Sequence, residues 1–160
     1  DFYKVLSKDI ANIELINTLL VTQKPIAIST GMSNVEEIRQ TVSALRPAPG
    51  QLSLIHTSLT YEPSDVNLRA IPMMRAAFNL PVGFGSHARN SAVLYLSLAY
   101  DPSDIWFYVK GDRGVKHPDE DHAISLKECT HVIKNLRELS TMIGSETKVK
   151  RENEIKKEGH

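Results

Sequence analysis

The chain has 160 residues, enough for one substantial hydrophobic core and short for two. Its 19 Lys and Arg balance 19 Asp and Glu, so no global field draws in nucleic acid or an anionic membrane, and any anion must be held locally. A single cysteine, Cys129, excludes an internal disulfide framework and suits a reducing cytoplasm, and no apolar run approaches the ~18 residues of a membrane span.

The opening Asp-Phe-Tyr-Lys-Val-Leu lacks an initiator Met and starts inside an apolar run, as a cut in a longer protein would. Phe2 to Leu6 is expected to be a short buried strand, and Asn12 to Gln23 carries Ile13, Leu15, Ile16, Leu19 and Leu20 at helical spacing. Lys24-Pro25 stops that helix. A second strand, Ile26 to Ser29, runs through Thr30-Gly31 into a helix from about Asn34 to Leu45. Ser33, with Glu36 three residues on, reads as its capping box, and Pro47, Pro49 and Gly50 end it. A third strand, Leu52 to His56, leads into a polar loop from Thr57 to Pro63, and Ser64 to Phe78 reads as helix despite Pro72. The fourth strand is Pro81 to Phe84, followed by a helix over Ser91 to Tyr100. Ile105 to Val109, rich in aromatic and β-branched residues, is the fifth. The polar loop Lys110 to His122 precedes a long helix from Ser125, boxed by Glu128, to about Met142, with Gly144 as C-cap. Residues 1–144 therefore form the domain, and 145–160 a charged tail expected to fray.

Five strand-helix units at intervals of roughly 25–30 residues imply an α/β fold with a parallel sheet and helical crossovers. An open doubly wound sheet and five of the eight units of a (β/α)8 barrel both fit this pattern. In either, function belongs at the C-terminal ends of the strands. Polar residues fall there: Ser7 and Asp9, Ser29 to Gly31, Thr57 to Tyr61, Gly85 to His87, and Lys110 to His122.

Several of these residues carry usable chemistry. Ser29-Thr30-Gly31-Met32-Ser33 stands before a helix N-terminus and reads either as an anion site or as ordinary capping. Lys4, inside an apolar strand, needs a partner for its ammonium, either in a pocket or at a strand edge. Tyr61, Asn67 and Arg69 lie where they could cover a ligand. His87 reads as a metal ligand, a general base or a hydrogen-bonded loop histidine. His117 and His122, beside Asp119, Glu120 and Asp121, supply donor types suited to Mn²⁺ or Zn²⁺, and also suit a solvated loop.

Taken together, four segments resemble the sialic acid (N-acetylneuraminate) synthase family, with its legionaminate and pseudaminate relatives. Phe2-Tyr3-Lys4-Val5-Leu6-Ser7-Lys8-Asp9 is similar to the family's Phe-Lys-Ile-x-Ser-Gly-Asp/Glu strand end, and Lys24-Pro25-Ile26-Ala27-Ile28-Ser29-Thr30-Gly31-Met32 to its Lys-Pro-x-x-x-Ser-Thr-Gly-Met segment. Asp65-Val66-Asn67-Leu68-Arg69-Ala70-Ile71-Pro72 and Asp121-His122-Ala123-Ile124-Ser125-Leu126 match two more. The resemblance implies a (β/α)8 TIM barrel of which this chain holds about strands 4–8. It implies condensation of phosphoenolpyruvate with the open-chain aldehyde of N-acetylmannosamine or a related acylamino sugar, releasing phosphate. A divalent metal, Mn²⁺ or Mg²⁺, would polarise the aldehyde oxygen. By position, Lys4, Ser7 and Ser29 would contact phosphoenolpyruvate, Asp9, Tyr61 and Asp121 would face the sugar and the reacting centre, and His87 would be the first metal histidine. The complete protein would be a cytoplasmic homodimer, with no nucleic acid or membrane partner.

The chain also departs from the family pattern. Gly85-Ser86-His87-Ala88 stands where the family has Ser-Asp-His-Thr, and Phe107-Tyr108-Val109 aligns with Glu-Lys-His, whose histidine is the second metal ligand. His117 and Asp112 are the candidate substitutes. The alternative expectation is thus a catalytically impaired sugar- or phosphate-binding relative, and a third is an independent five-stranded domain. Strands four and eight of an incomplete barrel would expose unpaired edges prone to self-association.

Overall fold

A computed structural model describes residues 1–111, 114, 118–152 and 154. Five parallel strands form the sheet: β1 (Tyr3–Val5), β2 (Ile26–Ser29), β3 (Leu52–Thr57), β4 (Val82–Gly85) and β5 (Ile105–Trp106). Helices α1 (Ile13–Leu20), α2 (Val35–Ala44), α3 (Ala70–Phe78), α4 (Ala92–Ser97) and α5 (Leu126–Ile143) follow them in turn. None of the described helices is long and apolar enough to cross a membrane.

The strand order is β1-β2-β3-β4-β5, each strand beside its sequence neighbour. A doubly wound sheet reverses its order at a switch point, whereas a barrel does not, so this sheet is an arc of a (β/α)8 barrel. Curvature agrees with that. Phe2, next to β1, packs edge-on against Trp106 of β5 with ring centroids 5.4 Å apart, so the two edge strands of the arc meet through side chains across its concave face.

Side-chain alternation separates the two faces of the arc. Val5, Ile28, Leu54 and Val82 are successive register partners, forming one aliphatic row that packs with Ile16, Ile38, Ile71, Met74 and Leu94 of the helices. The concave face instead carries Lys4, Ser29, Ile55, Thr57, Gly85 and Trp106. A core on the outside and polar residues within leave the strand ends free for a site.

Local structure follows the expected chemistry, with five corrections. The first strand is not buried throughout: of Phe2 to Leu6 only Val5 is buried, while Phe2 is 57% and Leu6 49% exposed. The box at the start of α2 is Asn34 with Glu37, not Ser33 with Glu36. Asn34 Oδ1 accepts from the N–H groups of Glu36 and Glu37 at 2.9 and 3.0 Å, and Glu37 Oε2 accepts from the Asn34 N–H at 2.8 Å. The Ser33 N–H is already spent on the Thr30 carbonyl. Asn34→Ala should therefore cost about 1 kcal/mol, read as a lower urea midpoint with an unchanged m-value.

Helix is interrupted before α3. Pro63–Asp65 make a 3-10 turn, Asn67 sits at φ 45°, and α3 begins at Ala70. Pro72 lies in its first turn, where a missing N–H forfeits no intrahelical bond. The next helix ends early for a similar reason: α4 passes into a 3-10 turn at Leu98–Tyr100 and stops at Asp101, φ 52°. The fifth strand splits. Only Ile105–Trp106 joins the main sheet, while β6 (Val109–Lys110) pairs in parallel with β7 (Ile124–Ser125), which leads directly into α5. The Ser125–Glu128 box and Gly144, φ 69°, bound α5 as expected.

His56 of β3 donates from Nε2 to the Val66 carbonyl at 2.9 Å and lies 6.4 Å from the Phe84 ring. Burial pushes its pKa below the usual 6.5, more than the backbone hydrogen bonds to Val66 and Asn67 raise it. The unfolded chain thus binds a proton that the folded one resists, and stability falls as pH drops through and below the usual histidine value. Chemical denaturation at pH 7.5 and 5.0 should show this loss, and His56→Gln should make it smaller.

Candidate active site

Because all five strands run the same way, their C-terminal ends open on one side, and five short connections bring polar groups together there. A cavity of about 290 Å³ lies at this end, lined among others by Lys4, Ser7, Ser29, Thr57, His87 and Tyr108. Four of the seven residues singled out from sequence, Lys4, Ser7, Ser29 and His87, therefore share one cavity.

Lys4 opens into the cavity with its ammonium 5.4 Å from the Trp106 ring centre. The walls withdraw enough water to push its pKa below the usual 10.5. Among the described residues no carboxylate forms an ion pair with it, so the cation is available to an anionic ligand. Ser7, buried in the 3-10 turn Ser7–Asp9, accepts a hydrogen bond from the Gly31 N–H at 3.1 Å. Gly31 has no room for a side chain, since a Cβ would lie 2.9 Å from Ser7 Oγ, 3.0 Å from Leu59 Cγ and 3.2 Å from Thr57 Cγ2. Gly31→Ala should therefore displace Ser7 and cost about 1–3 kcal/mol of stability, which thermal unfolding checks.

No residue from Ser29 to Ser33 caps α2, whose N-cap is Asn34. Ser29 is buried, the Thr30 hydroxyl and N–H both donate to the Ile55 carbonyl at 3.0 Å, and the carboxylate of Glu37 already sits at the α2 N-terminus.

His87 is gripped at both ring nitrogens. Nδ1 lies 3.1 Å from Thr57 Oγ1, and Nε2 lies 3.3 Å from the Tyr108 hydroxyl. Either tautomer satisfies both contacts, because each hydroxyl can donate or accept. Burial holds the His87 pKa down, His122 and Lys4 add to this, and Asp119 opposes it. The imidazole is consequently neutral near pH 7. Burial, then Asp119, pushes the Tyr108 phenol up, so it stays protonated.

A second layer of rings backs His87. His122, its side chain only 3 % exposed, lies 5.0 Å from His87, 4.7 Å from Tyr108 and 5.5 Å from Tyr61 between ring centres, with Asp119 3.7 Å from its Nε2. The Arg89 guanidinium covers Tyr61 at 4.8 Å and pairs with Asp121 at 3.1 Å. Tyr61 and Asp121 thus meet through Arg89 on the far side of this ring wall. There Asp121, Arg89, Lys110, His122 and His131 line a second cavity of about 510 Å³. Asp9 and Tyr61 line neither cavity, and Asp9 lies 3.8 Å from Lys8.

The neighbours of His87 are what the linear reading missed. Tyr108 stood out only as a departure from a pattern, and His122 as a loop donor and part of a family segment, neither as a neighbour of His87. Pairing of β7 with β6 carries His122 back against His87. Val109, at the position aligned with a second metal histidine, is exposed, pairs with Ile124 and does not line the cavity.

The described residues do not fit a divalent ion here. Both His87 nitrogens are engaged by hydroxyls, and among the described residues no three His, Cys, Asp or Glu side chains gather closely enough to hold a metal. His117 and Asp112, the candidate substitutes, lie outside the described residues.

Comparison with known proteins agrees with this architecture. The model of the NeuB family matches residues 1–148. An uncharacterized protein of Methanocaldococcus jannaschii is 31% identical over 92% of this chain and 44% of its own length. The N,N'-diacetyllegionaminic acid synthase of Legionella pneumophila is 28% identical over 95% of this chain and 45% of its own. The chain therefore spans less than half the length of either relative. The crystal structure of N-acetylneuraminic acid synthetase from Leptospira borgpetersenii, in complex with citrate, has the same fold, with a TM-score of 0.86 at 22% identity over 98% of this chain and 55% of that one.

Proposed function

Since this chain belongs to the NeuB family, we propose that it forms the C-terminal part of a synthase barrel condensing phosphoenolpyruvate with the aldehyde of an acylamino sugar such as N-acetylmannosamine. The observation that carries this reading is Lys4, without a carboxylate partner among the described residues, in one cavity with Ser7, Ser29 and His87. An ammonium beside two hydroxyls suits the phosphate and carboxylate of phosphoenolpyruvate, since charge-assisted hydrogen bonds are the strong ones.

In the reaction the enol carbon attacks the aldehyde carbon, water attacks the cationic centre left behind, and phosphate leaves. Lys4, Ser7 and Ser29 hold the phosphoenolpyruvate and spread its charge. Asp9, Tyr61 and Asp121 face the sugar and the reacting centre, the roles that the family resemblance gives them. A divalent ion would supply Lewis-acid polarisation of the aldehyde, but the described donors do not fit one. The same reading makes the complete protein a cytoplasmic homodimer.

Phosphate release from phosphoenolpyruvate by the complete protein, assayed against a panel of acylamino sugars, tests the proposal. No release with any sugar overturns the synthase reading. Binding of phosphoenolpyruvate without release would instead favour a catalytically impaired relative, the alternative that Val109 supports.

A further inference from the structure

Building on the condensation just proposed, we propose that Tyr108 is a catalytic residue, its phenol donating first a hydrogen bond and then its proton to the aldehyde oxygen as the carbon-carbon bond forms. Three features place it for this. It lines the same cavity as Lys4, Ser7 and Ser29, the one proposed above for phosphoenolpyruvate. Its ring is held edge-on against His122 at 4.7 Å, which fixes the position of the phenol. Its oxygen lies 3.3 Å from His87 Nε2, and Thr57 Oγ1 supports the other face of that imidazole at 3.1 Å.

These contacts make a directed chain in the Nε2–H tautomer of His87. Thr57 O–H donates to Nδ1, Nε2–H donates to the Tyr108 oxygen, and the phenol hydrogen is left for the substrate. Gly85 keeps the chain aligned, because a Cβ there would lie 3.0 Å from Ile55 Cγ2 and 3.3 Å from Thr57 Cβ. Tyr108 also stands where the synthase pattern has a lysine. A neutral donor pair therefore occupies a position that the pattern gives to a charged side chain.

The proton balance closes. As the enol carbon bonds to the aldehyde carbon, the carbonyl π electrons move to oxygen, and that oxygen takes the phenol proton. The phenolate left behind accepts from His87 Nε2–H. Water then bonds to the cationic carbon, and the proton it loses returns to the phenolate. The tetrahedral carbon expels phosphate, breaking the carbon-oxygen bond and passing its hydroxyl proton to the leaving group. No external acid, base or oxidant is consumed.

The test uses the complete protein, treated with EDTA and assayed for phosphate release from phosphoenolpyruvate and its best acylamino sugar. Activity should persist after chelation. Tyr108→Phe, which keeps the ring, should lower kcat on the order of 100-fold while leaving KM for phosphoenolpyruvate within about threefold, the size of a lost proton donor. Added Mn²⁺ should not rescue it. Thr57→Val, which loosens His87, should lose roughly tenfold by weakening the same donor, so the chain stays testable if Tyr108→Phe folds poorly. If chelation abolishes release and Mn²⁺ restores it, or if Tyr108→Phe is as active as the parent, the assignment is overturned while the synthase reading stands. An inactive parent protein with every sugar overturns both.

Discussion

Lys4→Met is expected to raise KM for phosphoenolpyruvate by roughly 10- to 100-fold while leaving the fold intact. The estimate follows from losing a charge-assisted contact of about 1.5–3 kcal/mol, where each 1.4 kcal/mol is about tenfold. Methionine keeps an unbranched stem against Trp106, so the packing across the concave face survives. The native ammonium is also held in a site where burial opposes its charge. Melting temperature should therefore not fall, and a steady-state titration separates lost affinity from lost protein. An unchanged KM would remove the phosphate from Lys4 and leave Ser7 and Ser29 without the cation that makes their cavity an anion site.

The largest expected loss of stability comes from Phe84→Ala, at about 3–5 kcal/mol. Phe84 is 1% exposed, and of the four residues of β4 only Val82 and Phe84 have side chains, both entering the core. The intervening positions must stay small. A Cβ on Gly83 would collide with Asp104, whose carboxylate also accepts from Trp106 Nε1, and one on Gly85 would press on Ile55 and Thr57. The strand thus anchors itself through two residues, and truncating one leaves a cavity that neighbouring glycines cannot fill. Such a loss is a large part of the 5–15 kcal/mol that holds a typical domain together. Urea unfolding should show it directly. His87, three residues on, should lose its protection in step.

Much of the fold could be read without coordinates because its signals are local. The helical spacing from Ile13 to Leu20 and the Ser125–Glu128 box depend on residues a few positions apart. The placement of α2 by Ser33 rather than Asn34 shows where such signals run out. Both residues are good N-caps with a glutamate three positions later, and only the prior use of the Ser33 N–H by Thr30 decides between them. The convergence of Lys4, Ser7, Ser29 and His87 was legible for another reason: parallel strands place all their C-terminal ends on one side, so topology alone gathers them.

By itself, then, the sequence determined the strand-helix alternation, the family pattern and the residues at the strand ends. Tertiary structure decided between an arc and an open sheet, through the strand order and the contact of Phe2 with Trp106. It also decided what surrounds His87. Thr57, Tyr108 and His122 reach that ring from 30, 21 and 35 positions away, the last by way of the β6–β7 pairing that splits the fifth strand. Such contacts are set by closing long loops over a curved sheet, and no short-range pattern records them. His87 was visible as a reactive side chain, but its neutral state and its two hydroxyl partners belong to the fold.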